Sequence, residues 1–230
     1  MLDTTNRYGT DVHEHEILLS SAGQQVMMAW EREYMEKCVD ALGITPTSDV
    51  LEIGFGLAYS ATHIQSYSPK SHTIIECDPV SLVELEVWAK TRPNVVIVAG
   101  TWQTVLASLG SFDCIFFDDY PLPQTERDES IFSISRWHDF LDATLNWHVN
   151  VGGRVTGYLA REIDLSRDGC HVAMTPFEVS SSFHSPVTNS STKLGASASE
   201  LHLLPIQNCI GATGDLGRAQ AEHHYIRPAS

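Results

Sequence analysis

The sequence predicts an α/β fold, a mostly parallel, twisted sheet with helices on both faces. Short apolar runs alternate with helical patterns from Asp49 to Leu159. Each run is nearly continuously apolar, as expected of strands buried on both faces. The first run ends in Gly54-Phe55-Gly56, a turn of the kind that precedes a ligand-binding helix.

The elements follow in order. From Gln24 to Leu42, Val26, Met27, Trp30, Tyr34, Met35, Cys38, Val39 and Leu42 recur at spacings of three and four. That periodicity predicts a helix with one buried face, closed by Gly43. Asp49 to Ile53 reads as the first core strand and Ala58 to Gln65 as a helix. Ser71 to Glu76 is the next strand, Ser81 to Lys90 a helix, and Val95 to Val98 the third strand. Thr104 to Leu109 reads as a short helix, Phe112 to Phe117 as the fourth strand, and Ile131 to Val149 as a longer helix. Gly152-Gly153 then introduces Arg154 to Leu159 as the fifth strand. Beyond Leu165 the pattern weakens. The Ser- and Thr-rich stretch from Ser180 to Ser199 reads as a loop, while Leu201 to Ile206 and His223 to Ile226 suggest a final antiparallel pair. The expected organisation is one domain over residues 1–230. Residues 1–48 form a helical segment covering the site, 49–165 the cofactor-binding core, and 166–230 a less regular C-terminal part.

Composition excludes several classes of function. The chain has 230 residues with Lys+Arg 14 against Asp+Glu 29, a formal charge of −15. Such a charge repels phosphate backbones and anionic membranes, so neither nucleic acid nor membrane is expected as a partner. The odd, scattered set Cys38, Cys77, Cys114, Cys170 and Cys209 reads as reduced thiols. With no basic-then-apolar start in Met1 to Arg7, a soluble cytoplasmic protein is expected. His13-Glu14-His15 and His223-His224 lack a second cluster at ligand spacing, so no metal is expected. Neither a Gly-x-Ser-x-Gly elbow nor a GxxxxGK[ST] loop occurs, which removes serine-hydrolase and P-loop chemistry.

What chemistry remains is concentrated at strand ends. Glycines after Ile53 let a ligand approach the backbone, and Glu76 ends the second core strand about 20 residues on, where a carboxylate accepts from both hydroxyls of a ribose. Tyr59 stands where a third glycine of GxGxxG would be. That disfavours a nicotinamide or flavin pyrophosphate and favours a ligand without phosphate, foremost S-adenosylmethionine. Asp118-Asp119 follows the fourth strand directly. Taken alone, Asp119 reads as a helix cap or solvated loop residue, and Glu31, beside Trp30, as a surface residue.

These residues belong to blocks that resemble the guanidinoacetate N-methyltransferase family of class I S-adenosylmethionine-dependent methyltransferases. The blocks are Val26 to Met35, Val50 to Ala58, Ile74 to Cys77, Gly100 to Trp102 and Phe112 to Leu122, in order, within about half of the chain. The resemblance implies a class I, Rossmann-like methyltransferase fold with S-adenosylmethionine as cofactor. It implies that Glu76 holds the ribose and that Gly54, Phe55, Gly56 and Ala58 surround the amino-acid moiety, with Met35, Thr101, Trp102 and Asp118 near the cofactor. It implies further that Glu31 and Asp118, with Trp30 and Tyr158 beside them, clamp a guanidinium. Two carboxylates suit that planar cation, and Asp118 is placed to take a proton as the nitrogen becomes a nucleophile.

Two departures stand out: the acidic Asp119 where the family has a less acidic residue, and Tyr158-Leu159-Ala160-Arg161-Glu162 after the fifth strand. Arg161 there is expected to meet a substrate carboxylate, and Glu162 or Asp119 an additional ammonium. The function expected is methylation of a small cationic guanidino molecule, arginine or an arginine derivative ahead of guanidinoacetate; the sequence leaves the oligomeric state open, a homodimer being one possibility. Two alternatives stand beside it. One is a methyltransferase of another small amine. The other is a non-catalytic S-adenosylmethionine-binding protein, which would have no need of Glu31 and Asp118.

Overall fold

The computed structural model describes residues 5–119 and 136–158 and, as backbone, the strands His171–Pro176 and Ala221–Ile226. The chain begins with a three-stranded antiparallel sheet of β1 (Arg7–Thr10), β2 (Glu16–Leu19) and β3 (Gln25–Met28). A single 3-10 turn, Ala29–Glu31, leads into α1 (Arg32–Ala41). There follow β4 (Asp49–Ile53), α2 (Tyr59–Ser66), β5 (Ser71–Glu76), α3 (Pro79–Ala89), β6 (Val95–Ala99) and α4 (Trp102–Val105). After the 3-10 turn Leu106–Ser108 come β7 (Phe112–Phe117), α5 (Arg136–Thr144), β8 (Val149–Gly157), β9 (His171–Pro176) and β10 (Ala221–Ile226).

The large sheet runs β6-β5-β4-β7-β8-β10-β9. β6, β5, β4, β7 and β8 pair in parallel, whereas β10 pairs antiparallel to both of its neighbours. Strand order reverses between β4 and β7, and ligands of open α/β sheets bind at such a switch point, beyond the carboxyl ends. Exit loops are tied together there: Gly54 N–H donates to Ile75 O at 2.9 Å and Asp118 N–H to Ile53 O at 3.1 Å.

Alternating side chains divide the core into two layers. Leu51 and Ile53 of β4 join Ile115 and Phe117 of β7, under Trp102, Trp137 and Phe140. Val50, Cys114 and Phe116 face the other way and pack against Tyr34, Met35, Cys38 and Ile64. The α2 and α3 contacts, Ala61 and Leu85, close over Ile74 on that second face.

Three expectations change. The helix expected from Gln24 begins only at Arg32, because Met27 and Met28 pair with Leu18 and Ile17 of β2. The expected helical segment 1–48 thus opens as a sheet, since pairing with β2 outweighs a local periodicity. The long helix expected from Ile131 to Val149 ends at Thr144, its residues 131–135 lying outside the described ones. β8 starts at Val149 and runs through Gly152-Gly153 rather than after them. Close approach explains Gly153: a Cβ there would meet Asn150 O at 2.8 Å. The expected closing strand His223 to Ile226 is present within β10, which pairs with β8 and β9; Leu201 to Ile206 and the loop Ser180 to Ser199 lie outside the described residues.

Candidate active site

At the switch point lies a cavity of about 330 Å³. Its floor is the carboxyl ends of β4, β5 and β7, one wall is the turn after β6, and Leu18, Val26 and Met27 of the N-terminal sheet lie across it.

The glycine turn is shaped by close backbone approach. Gly54 has φ +85°, and a Cβ there would collide with the carbonyl oxygen of Asp118. Gly56, at φ +52°, has Met27 Sδ at 2.8 Å from the position of a Cβ. Met27 Sδ also accepts the Leu57 N–H at 3.2 Å, and the Tyr8 hydroxyl donates to Gly56 O at 2.7 Å. Below the turn, Glu52 is fully buried and accepts from the Ser60 hydroxyl, while its other oxygen is 2.8 Å from His72 Nε2.

Glu76 is buried at the end of β5. Its Oε1 accepts from the Cys77 and Asp78 amides at 2.7 Å each, and its Oε2 from the Phe55 amide at 2.9 Å. Burial pushes its carboxyl above the usual range, against three amide bonds that favour the charged form. The same Asp78 caps α3 through Val80 and Ser81 N–H and accepts the Asn6 amide at 2.9 Å.

Asp118 lines the cavity beside Asp119. Contrary to the reading as a cap or solvated residue, Asp119 is largely buried. Its Oδ2 accepts from Trp102 Nε1 at 2.8 Å and from Arg136 Nε and Nη2 at 2.8 and 2.5 Å. Burial raises its pKa, and Arg136 opposes that rise. The charge expected for an extra ammonium is therefore already matched by Arg136. Glu31 is no surface residue either, being 2% exposed with its Oε2 accepting the Met28 N–H at 3.2 Å.

The cavity brings together Gly54, Gly56, Glu76, Thr101, Trp102 and Asp118. Trp30, Glu31, Met35, Phe55, Ala58 and Tyr158 do not line it. Met35 is fully buried in the core. Phe55 packs edge-on against Trp88, its ring centre 5.6 Å away, and only its amide reaches Glu76. Tyr158 packs edge-on against Tyr34 at 5.3 Å. Arg161 and Glu162 lie outside the described residues. Site residues the sequence reading passed over are Met27, Ser81 and Arg136: Met27 reads only as part of one face of a helix, and nothing local to Ser81 or Arg136 marks them.

Among the described residues no His, Cys, Asp and Glu group is placed to hold a metal ion, and no helix is long and apolar enough to cross a membrane. The guanidinoacetate N-methyltransferase family matches residues 4–156, well over half of the chain. The chain belongs to that family. Its fold is that of class I methyltransferases: N-methyltransferase NodS from Bradyrhizobium japonicum is similar with TM-score 0.55 at 11% identity, over 87% of this chain and 97% of that one. TYW2 of M. jannaschii, solved in complex with AdoMet, is similar with TM-score 0.52 at 14% identity, over 98% and 88%. The protein arginine N-methyltransferase 2 of Emericella nidulans is 36% identical over 125 residues, 51% of this chain and 29% of that protein. The chain spans less than a third of the length of the curated relatives it matches.

The expected cofactor, S-adenosylmethionine, agrees with family and fold. The lining fits it: Gly54 and Gly56 present backbone without side chains to the cavity, and the Glu76 carboxylate beside them would accept from a ribose. The buried Ser81 hydroxyl also lines the cavity. The expected partner, a small cationic guanidino molecule, is corrected: the relatives are protein arginine N-methyltransferases, whose substrates are proteins.

Proposed function

We propose that this domain transfers a methyl group from S-adenosylmethionine to a guanidino nitrogen of an arginine side chain within a protein or peptide. The observation that carries the reading is that Asp118 and Glu76 line one cavity beside the glycine turn. A relative at 36% identity that is a protein arginine N-methyltransferase supports arginine as acceptor. The charge of −15 favours basic polypeptides over acidic ones.

In this reading Glu76 orients the cofactor through its ribose, its own rotamer fixed by three amides. When bound, the cofactor supplies an electrophilic methyl on a sulfonium. Asp118 aligns the guanidinium by charge-assisted hydrogen bonds and takes the proton from the reacting nitrogen. Glu31, which does not line the cavity, braces it instead: its bond to Met28 holds the strand whose Met27 lies across the cavity. Holding nitrogen, methyl and sulfur in line contributes most of the acceleration. A non-catalytic binder would need the glycines and Glu76 without Asp118.

Incubation with methyl-labelled cofactor and an arginine-rich basic protein, followed by mass spectrometry of the digest, should place label on arginine side chains. Asp118→Asn should lower turnover by ~10²-fold or more and leave cofactor affinity nearly unchanged. Label on lysines alone, no label, or a wild-type rate in Asp118→Asn would overturn the reading.

A further inference from the structure

Next to the glycine turn, but outside the cavity lining, runs a row of polar side chains that methyl transfer does not use. The Ser60 hydroxyl donates to Glu52 Oε1, Glu52 Oε2 lies 2.8 Å from His72 Nε2, and His72 Nδ1 lies 3.1 Å from Gln65 Nε2. With the Gln65 amide donating to Nδ1, the Nε2–H is left to donate to Glu52. The Glu52 and His72 side chains are fully buried, and so nearly is Ser60. Burying a carboxylate is costly unless donors meet it. Here each oxygen has one, from α2 and from β5.

Glu52 is the last residue but one of β4 and Ser60 the second of α2, so their hydrogen bond spans the turn from end to end. Between them Gly54, Gly56 and Ala58 hold φ of +85°, +52° and +60°. Left-handed residues in alternation, one of them carrying a Cβ, persist only where their surroundings hold them. In that shape the turn brings the Phe55 amide to Glu76 Oε2 at 2.9 Å and sets Gly54 and Gly56 on the cavity. We propose that Glu52 is a positioning residue for cofactor binding: braced by His72, it holds Ser60 and so keeps the glycine turn in the shape that receives the cofactor. The inference deepens the cofactor reading above and rests on it. Its physical content is preorganisation, because a turn that samples other shapes binds with an affinity reduced by the fraction of time it spends in the competent one.

Two readouts test it: S-adenosylmethionine affinity by calorimetry, and hydrogen exchange of the Phe55 and Ala58 amides in ligand-free protein, with melting temperatures recorded for each variant. In Ser60→Ala the affinity should fall about tenfold and both amides should exchange about tenfold faster, while amides at the centres of β4 and β7 keep their wild-type rates. Glu52→Gln removes the charge but keeps a donor for Ser60 Oγ and an acceptor for His72, and should hold both readouts within about threefold of wild type. Ser66→Ala, which removes a hydroxyl bonded to His63 O at the other end of α2, should move neither. Unchanged affinity or unchanged exchange in Ser60→Ala, or a Glu52→Gln as impaired as Ser60→Ala, would overturn the inference. So would a lowered melting temperature with affinity intact, which would make the row a structural tie alone. A wild type that binds no S-adenosylmethionine overturns the cofactor reading instead, and the exchange readout then still decides whether Glu52 holds the turn.

Discussion

In the proposed role Glu76 would meet a ribose with the one acceptor position that three backbone amides leave over. A carboxylate has about four acceptor positions, and three are taken by Phe55, Cys77 and Asp78. Glu76→Ala removes both the acceptor for a ribose and the group that arrests those amides. Binding of S-adenosylmethionine should weaken by at least about tenfold in calorimetric titration, and unchanged affinity would refute the role. The neighbouring Cys77 is exposed, yet it lines the cavity. Its thiol is pushed up to about 12, first by removal from water and then by the charges of Glu76, Asp119 and Asp78. Since the thiolate is the reactive form, it gains population only as pH rises toward that value. Alkylation of Cys77 by iodoacetamide at pH 8 should run ~10³-fold slower than for an ordinary thiol and rise nearly tenfold per pH unit, as read by site-resolved mass spectrometry. A rate like that of a free thiol would show that the neighbouring carboxylates do not act on it.

The turn that carries Gly54 and Gly56 ends in a residue with the wrong backbone for its side chain. Ala58 enters α2 at φ +60°, ψ +20°, a left-handed conformation that is costly for any residue with a Cβ. Ala58→Gly should therefore stabilise the fold by about 0.5–1 kcal/mol, the relief of strain being partly offset by extra freedom in the unfolded chain. A urea midpoint below wild type would mean that the Ala58 methyl, packed against the Phe55 cluster, contributes more than the strain removes. The elements easiest to read in the sequence are those buried on both faces. Phe112 to Phe117 forms β7 with the bounds expected, because an apolar run of six residues leaves neither end ambiguous. Gln25 to Met28 went the other way, because its apolar spacing fits a helix and a strand equally, and its partner β2 lies across a turn. Gly54, Gly56, Glu76 and Asp118 were legible because strand ends and glycines mark a ligand face in the chain itself. Arg136 was not: it sits 17 residues beyond Asp119, and no local pattern brings the two together.

On the scale of the whole molecule, the fold depends on pairing order more than on the identity of any one strand. With β4 and β7 central and each covered on both faces, the cavity is placed by topology, and the loops after the strands need only supply its chemistry. The same order leaves β6 at the rim of the sheet. It is the five-residue run Val95-Val96-Ile97-Val98-Ala99, with Val96 51% exposed. Among the described residues no strand lies beyond this rim, and the run itself has none of the lysines or prolines that usually blunt one. Val96→Lys should lower light scattering on concentration or gentle heating while leaving cofactor affinity unaltered. An unchanged aggregation threshold would locate the sticky surface elsewhere. The strand whose exit turn forms one wall of the nucleotide-sized cleft is thus also an edge open to self-templated β-growth, and colloidal behaviour is tied to a point remote from the chemistry.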